Sequence, residues 1–374
     1  MKTKLCLFLG VFAIVSSGCD AQENGPKIEL PNSIDYTYEI VADSIDIPWG
    51  LTFLNEKAFL VTDKAGVLYH IENGIKTEVD GLPQVYVRGQ GGLLDIAVSP
   101  DYATTGTIYF TTSSPLGEDK GGHTALYSTQ LENNTLVNTK LLYKGDYNTK
   151  KGQHWGSRIS FDDAGHLYFS IGDRGNREVN PQDITRDGGK IYRLNLDGSI
   201  PADNPFVHLA NSRAAIYSYG HRNPQGMVTH PETGEIWTHE HGPRGGDEIN
   251  IIKAGKNYGW PIITYGINYS GTPITDITQK EGLEQPLYYW LPSIAPSGMA
   301  FVTSDVYPNW KGDLFVGSLK FEYLERLKIK SNKVVKREKI LDSIGRVRNV
   351  EEGPDGFLYV GVEGKGILKI VPKS

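Results

Sequence analysis

Cysteine is almost missing from this chain: Cys6 and Cys19 are the two among 374 residues, and Cys6 falls inside an apolar N-terminal run. Removal of that run leaves no disulfide available within the chain, so an exported fold must rest on its core and on any metal it binds. Helical periodicity is also missing. No long stretch repeats apolar residues at three- and four-residue spacing, which leaves strands as the main element. Excess positive charge is absent, the formal charge being −6, and nothing points to nucleic acid or an anionic membrane surface as a partner. What is abundant is glycine (43), proline (20) and tyrosine (21), a composition of tight turns and strands. The length suffices for a large core, in one large all-β domain or two smaller ones.

The N-terminus reads Met1-Lys2-Thr3-Lys4, then an apolar run from Leu5 to Val15, then Ser16-Ser17-Gly18-Cys19. That is a basic n-region, an apolar segment too short to span a bilayer, and small residues before a cleavage point. It resembles a bacterial lipoprotein signal over 1–18 with the lipid on Cys19, which predicts an exported, periplasmic or cell-envelope protein tied to the membrane only through that anchor. Ser16 stands where such signals usually carry Leu, and the alternative is plain secretion by cleavage near Ala21. Cleavage before Cys19 removes Lys2 and Lys4 and takes the formal charge to −8. Residues 19–33 read as a tether.

From there a unit recurs: a short apolar strand, a Pro/Asp/Gly turn, and a second strand ending in small or polar residues. It begins at Ile47-Pro48-Trp49, Gly92-Leu93-Leu94, Ser157-Arg158-Ile159, Gly226-Met227-Val228, Gly298-Met299-Ala300 and Val347-Arg348-Asn349. About six copies spaced roughly 45–70 residues apart fit propeller blades with insertions. The predicted fold is all-β, a six-bladed β-propeller of four-stranded antiparallel blades over 34–374, since no Pro/Ser-rich linker interrupts the repeats. The competing architectures are a β-sandwich array or two β domains. A propeller gathers loops from every blade at the mouth of its central channel, so its chemistry is dispersed in sequence.

The candidate residues are dispersed in that way. His154 precedes the third unit and is placed to act as a base near neutral pH. Arg222 and Asn223 precede the fourth, Gln90 precedes the second, Lys320 ends the fifth, and Arg346 and Arg348 lead into the sixth. On a strand, Arg346 and Arg348 share a face, which like charges disfavour unless an anion meets them. Cations at equivalent blade positions in an acidic protein suggest an anionic small molecule in the channel mouth. Beside them, Glu240-His241-Gly242-Pro243-Arg244-Gly245-Gly246-Asp247-Glu248 and Asn257-Tyr258-Gly259-Trp260 combine acids with a glycine-freed backbone, the mixture of carboxylates and carbonyls that a hard cation such as Ca2+ takes.

These motifs together resemble the soluble quinoprotein aldose sugar dehydrogenases of the glucose/sorbosone dehydrogenase family, which bind pyrroloquinoline quinone (PQQ). The likeness runs from about Ile47 to the C-terminus. It rests on Gly-Gln-Gly-Gly-Leu-Leu-Asp at 89–95, Gln-His-Trp-Gly at 153–156, Gly-His-Arg-Asn-Pro-Gln-Gly at 220–226, the 240–248 and 257–261 segments, and Arg-Val-Arg at 346–348. The resemblance implies that His154 is the general base and that Arg222 stabilises charge on the quinone oxygen. It implies that Gln90, Arg222, Asn223, Lys320, Arg346 and Arg348 hold the cofactor, with Tyr269 as a wall. It also implies that Gly242 and Pro243 offer carbonyls to a Ca2+ touching the cofactor, while Glu248 and the Tyr258 carbonyl form a second, structural Ca2+ site. His221, His239 and His241 are expected in supporting roles.

The implied reaction oxidises the C1 hydroxyl of an aldose to the lactone. Gln153 stands where the glucose-oxidising branch carries an acid, which favours a broad range of aldoses. No Cys-x-x-Cys-His for haem attachment occurs, so the electron acceptor is a separate molecule. Monomer and homodimer are both open. The competing functions are a non-catalytic exported propeller binding a glycan or other ligand at its mouth, and a Ca2+-dependent lactonase or esterase, which would need several carboxylates around the axis.

Overall fold

The computed structural model describes residues 35–373; the signal and most of the tether read from the sequence lie outside them. Six four-stranded antiparallel sheets form the chain, as the repeats predict. The innermost strands are Pro48–Asn55, Leu93–Val98, Ile159–Phe161, Pro224–Thr229, Pro296–Phe301 and Val347–Glu352, and each packs against its neighbours to close a ring. The sequence units are the first and second strands of each blade. Second strands such as Ala58–Asp63 and Leu358–Val362 are buried along their whole length, because adjacent blades cover both faces. This is why they read as unbroken apolar runs instead of alternating ones. Among the described residues helix is confined to Tyr102–Thr105 and one 3-10 turn.

The ring closes by hydrogen bonding between chain ends. Tyr36–Ala42 pairs antiparallel with Gly366–Pro372 as the outer strand of the sixth blade. Side chains between blades fill the core. One cluster joins Val302, Trp310, Phe315 and Leu324 of the fifth blade to Val347, Val360 and Leu368 of the sixth.

Five of the six inner strands carry a register shift against the second strand near their N-terminal ends: between Pro48 and Gly50, Leu93 and Ile96, Pro224 and Gly226, Ser297 and Met299, and Val347 and Asn349. A β-bulge leaves a residue out of the ladder and re-aims its side chain. Trp49, Gln225 and Arg348 are bulge residues, and all three line the same mouth of the channel. Glycine accompanies this crowding: a Cβ on Gly50 would lie 2.9 Å from Leu94 O and from Ile96 N, well inside contact distance.

Arg158 fills the channel itself. Its Nε donates to Gln225 O at 2.7 Å, Nη1 to Trp49 O at 3.1 Å and to Asp95 Oδ1 at 3.0 Å, and Nη2 to Arg348 O at 3.0 Å. The guanidinium also stacks 4.0 Å from the Trp49 ring. Asp95 Oδ2 accepts the Ile159 N–H at 2.9 Å. Burial pushes the Asp95 carboxyl up, and the Arg158 charge opposes it. Removing one partner of a buried, hydrogen-bonded pair costs about 3–5 kcal/mol. Arg158→Met should therefore lower unfolding stability by at least that much in chemical denaturation, since it also frees three buried carbonyls; a loss below ~1 kcal/mol would mean that the pair is not a structural tie.

Candidate active site

At the end of the ring where inner strands begin and second strands finish, a cavity of about 880 Å3 opens. Bulge residues Trp49, Gln225 and Arg348 form its floor, and loops bring Gln90, Pro243, Tyr269, Lys320 and Arg346 to its sides. The cations Lys64, Arg244, Lys320, Arg346 and Arg348 face a single acid, Glu363. The mouth is electropositive within an acidic protein. Tyr269 is 73% exposed, at the rim as a wall residue would be, and it also lines an adjoining pocket of about 130 Å3 with His154, Asp173, Arg222, Pro243 and Trp260.

The two arginines of Arg-Val-Arg do converge, but not by simple strand alternation. Arg346 precedes the strand that starts at Val347, and Arg348 is the bulge residue. Their meeting point is Glu363, whose Oε2 accepts Arg346 Nε at 2.8 Å and whose Oε1 accepts Arg348 Nε at 3.1 Å. The anion that the pair demands is thus supplied first by the chain.

His154 sits in a left-handed backbone turn, φ 55°, held by its N–H donating to Gln90 Oε1 at 2.7 Å. Its Nδ1 lies 2.6 Å from Asp173 Oδ1. Asp173 is 1% exposed and cannot donate while ionised, so the imidazole carries its proton on Nδ1 and leaves the Nε2 lone pair free. Asp173 is itself fixed by the Gly175 N–H at 2.7 Å and the Trp260 indole N–H at 3.0 Å. Burial, then the Arg222 charge, holds the His154 pKa below its ordinary 6.5 against the pull of Asp173. The Asp173 carboxyl is pushed up by burial, but the His154 hydrogen bond and charge more than offset this and leave it below the usual range. The ring is therefore a neutral, oriented base at pH 7.

Arg222 is buried beneath the base. Its N–H donates to Glu240 Oε2 at 2.5 Å, and Nη1 donates to His241 O at 3.0 Å and Gly242 O at 3.1 Å. The Gly242 carbonyl expected to meet a metal is thus already held by a guanidinium, and an ion there would share it or displace Arg222. Asn223 is 1% exposed and lines neither cavity. Its Oδ1 accepts the Gly156 N–H at 3.1 Å, bracing the His154 loop, while its Nδ2 is buried without a partner.

Glu248 and Tyr258 line a cavity of about 10 Å3, together with Glu240, Gly242 and Thr264. That is room for a single water-sized occupant. Burial, then the neighbouring Glu240 charge, pushes the Glu248 carboxyl well above its usual range, and Asn250 Oδ1 beside it is buried without a partner. Two neighbouring carboxylates, Glu240 and Glu248, at one small void fit a hard cation. Among the described residues no group of three or more His, Cys, Asp or Glu side chains is arranged to hold a metal, so such an ion would depend on carbonyl oxygens as well. The three histidines nearest this loop in sequence are structural. His221 bridges Ser218 and Glu240 and stacks on Tyr258, His239 meets Gly298 O, and His241 meets Pro296 O.

Comparison with known proteins identifies the family. A family model described as Glucose / Sorbosone dehydrogenase matches residues 45–369. The chain belongs to the glucose/sorbosone dehydrogenase family. It is 40% identical to the aldose sugar dehydrogenase YliI of Escherichia coli (strain K12), over 90% of this chain and 93% of that one. The crystal structure of the soluble aldose sugar dehydrogenase from Escherichia coli in the apo-form superposes with a TM-score of 0.87 at 40% identity, covering 91% of this chain and all of that one. A PQQ-bound aldose sugar dehydrogenase from Streptomyces coelicolor gives a TM-score of 0.73 at 27% identity, covering 91% and 99%.

Within this family member, sequence reasoning missed Asp173 and Glu363, and gave no individual role to Glu240 or Trp260 within the 240–260 stretch. The first three sit at or just beyond the ends of second strands, as Lys320 does, and that topological position was the available signal. Because the Asp173 contact raises the His154 pKa and the Arg222 charge lowers it, the two substitutions should act in opposite directions. In an NMR titration of the ring, His154 should titrate below 6.5, lower still in Asp173→Asn and higher in Arg222→Gln. A wild-type value above 6.5 would contradict the neutral-base assignment.

Proposed function

We propose that this protein oxidises the C1 hydroxyl of aldose sugars to the lactone, with PQQ in the channel mouth and His154 as general base. The observation that carries the reading is the His154–Asp173 pair opening onto an electropositive mouth. Lys320, Arg346 and Arg348 would meet carboxylates of PQQ, Gln90 and Arg222 its polar oxygens, and Tyr269 its flank. When bound, PQQ supplies the two-electron acceptor for the C1 hydride.

The protein's own residues prepare that transfer. His154 Nε2 accepts the proton of the C1 hydroxyl as the C1–H bond is cleaved, and the resulting imidazolium is stabilised by Asp173 through Nδ1–H. Arg222 would place positive charge beside an acceptor bound in the mouth. Trp260, donating to Asp173 and lying 5.4 Å from the Arg222 guanidinium across its ring, keeps both groups in register and excludes water. Ca2+ would be held by the Gly242 and Pro243 carbonyls at the mouth and by Glu248 with the Tyr258 carbonyl below, where it offers Lewis-acid charge and rigidity respectively. Gln153 in place of an acid supports a broad aldose range. The N-terminal sequence supports export with lipid on Cys19, which mass spectrometry of the membrane-associated protein would reveal. A separate electron acceptor completes the cycle.

The test is to add PQQ and Ca2+ to purified protein and follow quinone absorbance and dye reduction with a panel of aldoses. Turnover with several aldoses is expected; no spectral change and no dye reduction would leave a binding role instead. His154→Ala should lower kcat by about 10²–10⁴-fold with PQQ still bound, and near-normal turnover would remove it as the base. Ca2+ at ~100 times its dissociation constant should stabilise the fold by about 2.7 kcal/mol over chelated protein. Glu248→Gln should reduce that gain, measured by thermal melting without PQQ.

A further inference from the structure

A second cavity, of about 480 Å3, lies on the outer side of the loop that carries His154. Segments 146–151 and 174–187 frame it, with His123 and Arg213 completing the wall. Four cations line it, Lys151, Arg174, Arg186 and Arg213, against two carboxylates, Asp146 and Asp187. Both carboxylates are already engaged. Asp146 pairs with Arg213 at 2.8 Å. Asp187 accepts the Tyr143 and Tyr192 hydroxyls at 2.6 and 2.8 Å and the Asp146 N–H at 3.0 Å. Among the described residues, Lys151, Arg174 and Arg186 form no salt bridge.

Arg174 is the unusual one. It is 1% exposed, its Nε has no hydrogen-bond partner, and its guanidinium stacks 3.3 Å from the Trp155 ring. A guanidinium buried without a carboxylate is costly unless something else meets its charge. His123, 2% exposed, adds a directed donor. Its Nδ1 accepts the Thr124 N–H at 3.0 Å, which places the proton of the neutral ring on Nε2. Burial, then the charges of Arg174, Lys144 and Arg213, keeps that ring neutral. The cavity therefore combines uncompensated cations with a fixed N–H donor, the complement of an oxyanion.

We propose that this cavity is a second binding site, for a small oxyanion of the carboxylate or phosphate class, with Arg174, Arg186 and the His123 Nε2–H as its donors. The site is distinct from the channel mouth but joined to it through one loop. Arg174 donates to the Gln153 and Lys151 carbonyls, Gln153 adjoins His154, and Gly175 donates to Asp173 at 2.7 Å. A bound anion therefore pins the loop that orients the acid–base pair.

The experiment is calorimetric titration of the full-length purified protein with inorganic phosphate and, separately, with gluconate, at constant ionic strength set with chloride. One saturable site is expected, weakened about tenfold or more in Arg186→Gln and unaltered in Lys320→Gln, which alters the channel mouth instead. Arg186 is exposed, so its variant should melt as the parent does; Lys151→Gln provides a second, independent loss of charge. Saturation by only one of the two anions would identify which oxyanion the site takes and would uphold the proposal. No saturable binding of either, or binding that survives Arg186→Gln and Lys151→Gln but is lost in Lys320→Gln, would overturn it. The readout needs neither sugar nor PQQ, so it stands or falls apart from the dehydrogenase reading.

Discussion

One guanidinium ties the ring together. Arg158 reaches the bulge residues of four other blades: the backbone of Trp49, Gln225 and Arg348 and the carboxylate of Asp95. Inner strands of a propeller converge at the axis with their carbonyls exposed to the channel, and in a narrow channel those carbonyls lack water. A single planar donor with five N–H groups satisfies several of them at once. It also separates two spaces, since Trp49, Gln225 and Arg348 line the cationic mouth while Asp95 and Arg158 line a cavity at the far end. The mouth therefore has a floor, and whatever enters from above stops on a rigid surface of bulged residues.

The architecture was legible because each blade writes the same short apolar strand, turn and second strand into the sequence, and the burial of second strands on both faces keeps those runs unbroken. The cationic set was legible because Lys320, Arg346 and Arg348 fall where the repeat units begin or end, and those positions reach the channel mouth. What escaped was pairing. Asp173 lies 19 residues from His154 and Glu363 lies 15 from Arg348, both acids just past the end of a second strand, where a bulge or a loop that no period in the sequence announces sets the pairing. Arg346 and Arg348 were read as sharing a strand face, yet one is off the strand and the other out of the ladder; they meet only because Glu363 lies between them. Asn223 braces the backbone of Gly156 through Oδ1 and keeps its Nδ2 without a partner, a division of labour that the sequence does not announce.

Charge in the site is arranged in two tiers. The buried tier is two hydrogen-bonded pairs, His154 with Asp173 and the Arg222 N–H with Glu240, and the Arg222 charge helps to hold the His154 pKa down. The upper tier, Lys64, Arg244, Lys320 and the arginine pair, has one acid to share. A ligand rich in carboxylates therefore meets cations that can turn toward it without disturbing the base below. Arg222 links the tiers, since it holds the carbonyls of His241 and Gly242 while standing beside the His154–Asp173 pair.

The outer strand of the sixth blade is built from the beginning of the folded region, Tyr36–Ala42, paired with the very end, Gly366–Pro372. The first strand of the propeller in sequence thus depends for its place on the last. Until Gly366–Pro372 is in place, Tyr36–Ala42 has no sheet to join, and the first and sixth blades face each other across an open seam. A chain without residues 366–372 would leave the Tyr36–Ala42 and Leu358–Val362 edges unpaired, and bare strand edges invite aggregation.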